Sequence, residues 1–66
     1  MDGIKVSRLK LERLKRGWTI AYVAERANVS ISALSNWEAG RQMPAADKAI
    51  RLADLYGVDV KEIFSA

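Results

Sequence analysis

Chemistry needs groups that hold a metal, attack an electrophile or move a proton, and this sequence is poor in them. It contains no histidine and no cysteine, which removes the commonest zinc ligands, disulfides and thiolate nucleophiles together. Its eight acidic residues show no paired arrangement inside an apolar pocket, as general acid–base work would require. Ser30, Ser32 and Ser35 have no candidate base beside them. What remains is hydrogen bonding, concentrated in SISALSNWEAGRQMP, residues 30–44. As a helix, this stretch buries Leu34 and Trp37 with Ala33 at their flank. Ile31, Ser32, Ser35 and Asn36 then fall on the other side or its margin. A helix that meets only solvent more often carries Lys, Glu and Arg there. The face is fitted to recognition rather than catalysis, and neither a metal nor a cofactor is expected.

The elements that position this face are short helices. Sixty-six residues make one domain, and a chain of this size buries only about 60% of the surface its unfolded form exposes. Helices packed on one another close such a core without disulfides. β-Alternation is absent, and turn signals divide the chain into about five helices. The first is expected over residues 4–16, with Val6, Leu9 and Leu14 on one side, Leu11 off that stripe and Gly17 as its stop. Thr19 reads as the N-cap of IAYVAERA, which turns Val23, Ala24 and Ala27 inward. Asn28 tolerates the left-handed conformation that ends helices. Val29 then plugs the turn and Ser30 caps the next helix, 31–39, which Gly40 ends. Two capped helices joined by a short turn form a helix-turn-helix.

The fourth helix is expected over 44–56, with Pro44 in its first turn and Ala46, Ala49, Ile50, Ala53 and Tyr56 on one face. Gly57 stops it. Asp59 and Glu62 are spaced as in a capping box, opening a last turn that carries Ile63 and Phe64. Met43 is expected to fill a gap against the core. The fold class is therefore all-α, a compact bundle spanning residues 1–66 with its core at about 4–64.

The charge of +3 is unevenly placed. Lys5, Arg8, Lys10, Arg13, Lys15 and Arg16 crowd the N-terminal segment, opposed only by Asp2 and Glu12. Such a segment suits a polyanion, either nucleic acid or an anionic membrane, or is simply a solvated face. No signal-peptide pattern is present, and no apolar run approaches the roughly 20 residues needed to span a bilayer. A cytoplasmic, nucleoid-associated protein is expected.

The third helix favours nucleic acid. The major groove of double-stranded DNA admits one helix, and its base edges match these groups. Asn bonds adenine at two points, Ser serves either role, and an apolar side chain meets the thymine methyl. Ile31, Ser32, Ser35 and Asn36 are the expected base-reading residues. In a helix-turn-helix, the second helix lies in the groove with its N-terminal residues nearest the bases.

The segment from about Arg8 to Phe64 resembles the Xre family, the helix-turn-helix domain of phage repressors and Cro. The resemblance rests on the VAERANVS turn, the WEAG end of the third helix, the proline that follows and the LADLYGVDV segment. It implies a structural ion pair between Glu38 and Arg13, four residues before Gly17. It implies that the loop after the third helix runs beside the sugar–phosphate backbone, with Arg41 and Gln42 as phosphate ligands. Lys5, Arg8 and Lys10 are further phosphate candidates.

One position departs from the family. Its usual glutamine after the cap, a phosphate ligand, is Ile20 here, which leaves Tyr22 and the helix-terminal amides for that contact. An exposed Ile20 and Tyr22 would also form a patch for a protein partner, and antitoxins and some adaptors use this same fold. The family further implies a homodimer on a palindromic operator and a repressor's role, and no small-molecule effector is evident from the sequence. Its interface would lie toward the C-terminal helices, with Leu52, Leu55 and Phe64 as candidates.

Overall fold

A computed structural model describes residues 7–64. Lys5 and Val6 lie outside this range. Five helices follow in order: α1 (Arg8–Lys15), α2 (Ile20–Ala27), α3 (Ile31–Glu38), α4 (Ala46–Tyr56) and α5 (Val60–Phe64). The architecture is all-α. α2 packs on α3 and α4, α1 on α3 and α5, and α4 on α5.

Local chemistry sets the helix starts. Ser7, Thr19 and Ser30 each adopt an extended backbone, and their hydroxyls accept from the amides of Lys10, Tyr22 and Ala33. Each bond satisfies one of the amides that a helix N-terminus leaves orphaned. The cap at Ser7 corrects the expectation for the first helix, which begins at Arg8 rather than residue 4. Pro44 and Ala45 likewise precede α4 rather than opening it. At α5, Asp59 accepts from the Lys61 amide at 2.9 Å, while Glu62 turns to Arg8 at 3.6 Å.

The helix ends share one device. After α1, α2, α3 and α4 a residue with positive φ reverses the chain: Gly17, Asn28, Gly40 and Gly57. Its amide and the next one bond back to two late carbonyls, as in Asn28 to Glu25 at 3.1 Å and Val29 to Ala24 at 2.9 Å. This is the Schellman motif, which satisfies carbonyls that the helix leaves free. Asn28, at φ 59° and ψ 47°, holds the turn of the helix-turn-helix. Asn28→Ala is expected to cost about 1 kcal/mol, the left-handed penalty of a β-carbon residue. That lowers the thermal midpoint by roughly 4–8 °C in a domain of this size, whereas Asn28→Gly leaves it nearly unchanged.

The core is Leu9, Val23, Ala24, Ala27, Leu34, Leu52, Ala53, Tyr56 and Ile63. Two stripes differ in phase from the sequence expectation. Residues five apart on a helix point about 140° away from each other, so Leu9 and Leu14 cannot share a face. Leu9 is buried and Leu14 is 49% exposed. Buried Glu12 lies on the inner side in its place. On α4 the inner stripe is Ala49, Leu52, Ala53 and Tyr56, at the helical spacing of three, four and seven. Ile50 is out of phase with it and exposed, and Ala46, the first residue of the helix, is exposed too.

The same phase bears on the expected dimer residues. Leu52 has no exposed surface, so it serves the monomer's own core and cannot meet a second copy. Leu55 and Phe64 are half-buried and also pack against that core. Met43, expected as a gap-filler, lies in the loop before α4 and is 67% exposed.

Candidate nucleic-acid interface

The helix-turn-helix consists of α2, the turn at Asn28 and Val29, the Ser30 cap and α3. Leu34 is fully buried and Trp37 packs against the core. These two fix the roll of α3. Ile31 is then 52% exposed, Ser32 and Ser35 are exposed, and Asn36 is half-buried. The four residues read as base contacts therefore share an outward side of α3 or its edge. Ser30 caps the helix at the same end, so Ile31 and Ser32 occupy its first turn.

The flanking cations differ in how free they are. Arg8 is bound to Glu12 at 2.9 Å and faces Glu62 at 3.6 Å. Its role as a phosphate ligand is thus weakened, because its charge is already met. Lys10, Arg41 and Gln42 are exposed. Lys10 and Arg41 line one shallow cleft between α1 and α3, together with Arg13, Ile20, Ser35, Glu38 and Ala39. Arg13 and Glu38 neutralise each other there, which leaves the cleft net cationic beside Ser35. A groove of this kind attracts a phosphate backbone.

The start of α2 is altered. Ile20 is half-buried and packs against the core, so it forms no exposed patch with Tyr22. Its predecessor Thr19 uses its hydroxyl on the Tyr22 amide at 3.0 Å. Tyr22 is exposed, with its ring 5.3 Å from Trp18 and the Arg26 guanidinium 5.5 Å from its centre.

Two ion networks lie behind the face. Arg13 binds Glu38 through two parallel bonds, Nε to Oε2 at 2.8 Å and Nη2 to Oε1 at 3.1 Å, and also donates to the Trp18 carbonyl at 3.0 Å. The carboxylate raises the pKa of the Arg13 guanidinium above its ordinary value. This pair anchors the C-terminal end of α3 to α1. Sequence reasoning overlooked the second network. Glu12 receives Arg16 at 2.8 Å, Arg8 at 2.9 Å and Lys15 at 3.4 Å. Cations four before, three after and four after one glutamate were the available signal.

Arg16 extends that network to α4. It donates to the Tyr56 carbonyl, lies 5.1 Å from the Tyr56 ring centre and 5.7 Å from that of Trp18. Burial pushes the Tyr56 hydroxyl pKa up to about 12, so it stays neutral at any working pH.

A two-helix unit with a short, uncharged, hydrogen-bonding outer face and cations at its rim defines a DNA-binding domain. The model of a family described as Helix-turn-helix matches residues 9–63, and the chain belongs to this Xre/Cro-type helix-turn-helix family. No curated protein sequence matches it. No helix among the described residues is long and apolar enough to cross a membrane.

Proposed function

We propose that the protein is a sequence-specific transcriptional repressor that reads the major groove of double-stranded DNA with α3, as a homodimer on a palindromic operator. The observation that carries this reading is the outer side of α3, where Ile31, Ser32, Ser35 and Asn36 stand with no charge among them. Ser and Asn read base edges there, and Ile31 meets a thymine methyl. Arg41, Gln42 and Lys10 fix register on the phosphates without reading sequence. The substitution at Ile20 removes one side-chain phosphate contact, which leaves that role to the amides at the start of α2 and the hydroxyl of exposed Tyr22.

One recognition helix spans too few base pairs to find a site among genomic competitors. Two copies on half-sites about one helical turn apart solve this. Occupancy of a promoter by such a dimer is sufficient for repression, in the cytoplasm of a prokaryotic cell or a phage-infected host. The competing reading, an antitoxin or adaptor working through a protein partner, loses support because half-buried Ile20 contributes little to a patch with Tyr22.

Selection from a random double-stranded DNA library tests the proposal. A palindrome is expected, and Asn36→Ala is expected to relax one base preference in each half-site by about 1–3 kcal/mol. Affinity should also fall steeply with salt, with a logarithmic slope of about −0.9 per phosphate contact. A folded protein that enriches no motif would overturn it and favour the partner-binding alternative.

A further inference from the structure

Four helices end in the same Schellman geometry, and the residue after the reversal is Trp18, Val29, Arg41 or Val58 in turn. In this motif that residue lies beside the one five positions earlier, and an apolar contact between them is the usual accompaniment. Val29 and Val58 follow the rule, opposite Ala24 and Ala53, and Trp18, though opposite Arg13, also packs against the core. Arg41 does not. It is exposed, and its guanidinium Nη1 donates to Asn36 Oδ1 at 3.3 Å, while its backbone amide donates to the Asn36 carbonyl at 3.0 Å. The reversal at Gly40, φ 79°, thus brings a cation onto the residue best suited to read a base.

We infer that Arg41 is a positioning residue for Asn36 and so a determinant of DNA specificity, beyond any contact of its own with phosphate. The inference rests on α3 being the major-groove helix. A guanidinium has five donors and no acceptor. Whatever faces Arg41 must accept, so the carboxamide oxygen is held on that side and the Nδ2 amide is turned away. Asn36 therefore presents a donor of fixed direction, and its complement is an acceptor on a base edge, purine N7 first among them. Without Arg41 the carboxamide can turn end for end and offer an acceptor at the same place. Adenine N6 and cytosine N4, both donors, would then be admitted.

A phosphate contact and a positioning contact differ in what they do to base preference. The experiment is a double-mutant cycle with Asn36→Ala and Arg41→Ala. Binding is measured on the selected operator and on operators carrying each base change in one half-site, over a range of salt. For the wild type, exchanging the base pair read by Asn36 weakens binding by about tenfold. Arg41→Ala is expected to reduce that ratio to the level of Asn36→Ala while ratios at other positions hold. Added to Asn36→Ala, it should change the ratio no further.

A uniform loss on every operator, with the tenfold ratio intact and the salt slope lower by about 0.9, would overturn the inference. Arg41 would then be a phosphate ligand only, and the proposed function would stand. Equal binding of the wild type to all operators would remove the α3 reading, and this inference with it. Arg41 is exposed, and thermal denaturation by circular dichroism checks that each variant is folded.

Discussion

Arg13→Ala is expected to remove about 3–5 kcal/mol of stability, the usual loss when one partner of a buried ion pair is deleted. Both side chains are almost out of water, at 12% and 5% exposure. The two-pronged arginine–carboxylate fork is stronger and more directional than a single charged bond. The third donor reaches the Trp18 carbonyl at 3.0 Å, just before the Thr19 cap. One guanidinium therefore ties α1 to the end of α3 and to the start of α2. Deleting it leaves Glu38 buried without a counter-charge and frees a carbonyl.

The total stability of a 66-residue domain is of order 3–10 kcal/mol, so the variant should be largely unfolded or close to it. Arg13→Lys should recover little, since an ammonium cannot reproduce the planar fork. Urea denaturation of Arg13→Ala, Glu38→Ala and the double variant measures this. Single losses below about 1 kcal/mol, with additive behaviour in the cycle, would place the pair among surface salt bridges and sink the prediction. DNA affinity should follow stability only indirectly, because neither group stands on the outward side of α3.

What the sequence makes legible here follows from local rules. Ser30, Thr19, Asn28, Gly40 and Gly57 act through neighbours in the chain, and the helix-turn-helix is readable from them alone. The roll of α3 is readable too, because Leu34 and Trp37 lie three apart, while Ile31, its other large apolar residue, stands between serines at the start of the helix. On α4, apolar residues surround the helix: Ala49, Ile50, Leu52, Ala53 and Leu55 offer more than one possible stripe. The choice between Ile50 and Leu52 is made by packing against α2 and α5. Leu52 wins because it falls in register with Ala49 and Tyr56.

α1 hides its inner face differently. A hydrophobic pattern looks for leucines, yet Leu11 and Leu14 are exposed and a glutamate is buried. Only Leu9 marks that face by hydropathy, and charge pairing at Glu12 completes it. The Arg41–Asn36 contact was hidden for a related reason. In the sequence Arg41 is a loop cation, and only the three-dimensional reversal at Gly40 brings it against α3.

The buried glutamate leads to the second large effect, which is a dependence of folding on acid. Glu12 is 1% exposed, and a bare carboxylate there would be strongly unfavourable. Its pKa is lowered from 4.5 to about 2, first by the bond from Arg16, then by Arg8 and Lys15, with burial opposing them. The sign follows from linkage. A group whose folded pKa lies below its unfolded value is deprotonated more readily in the folded chain. Its contribution is fully present above pH 4.5, declines as pH falls and is gone below about 2. Arg8 and Lys15 are half in solvent, at 44% and 54% exposure. The contribution is therefore about 2 kcal/mol, below what the whole shift would imply.

Glu12→Gln keeps the shape of the side chain and removes the charge. At neutral pH the variant should be about 2 kcal/mol less stable than the wild type. Part of the loss arises at a distance, because Arg16 is also the group that donates to the Tyr56 carbonyl at the end of α4. Between pH 4.5 and 2 the two stability curves should converge, since protonation does to the wild type what the substitution has already done. The other carboxylates are common to both proteins and cancel in the difference. Urea midpoints taken at half-unit steps of pH measure that difference. Curves that stay parallel down to pH 2 would mean that Glu12 holds no excess charge interaction in the folded state. Arg16 would then be held at the end of α4 by its bond to the Tyr56 carbonyl and its ring contacts alone.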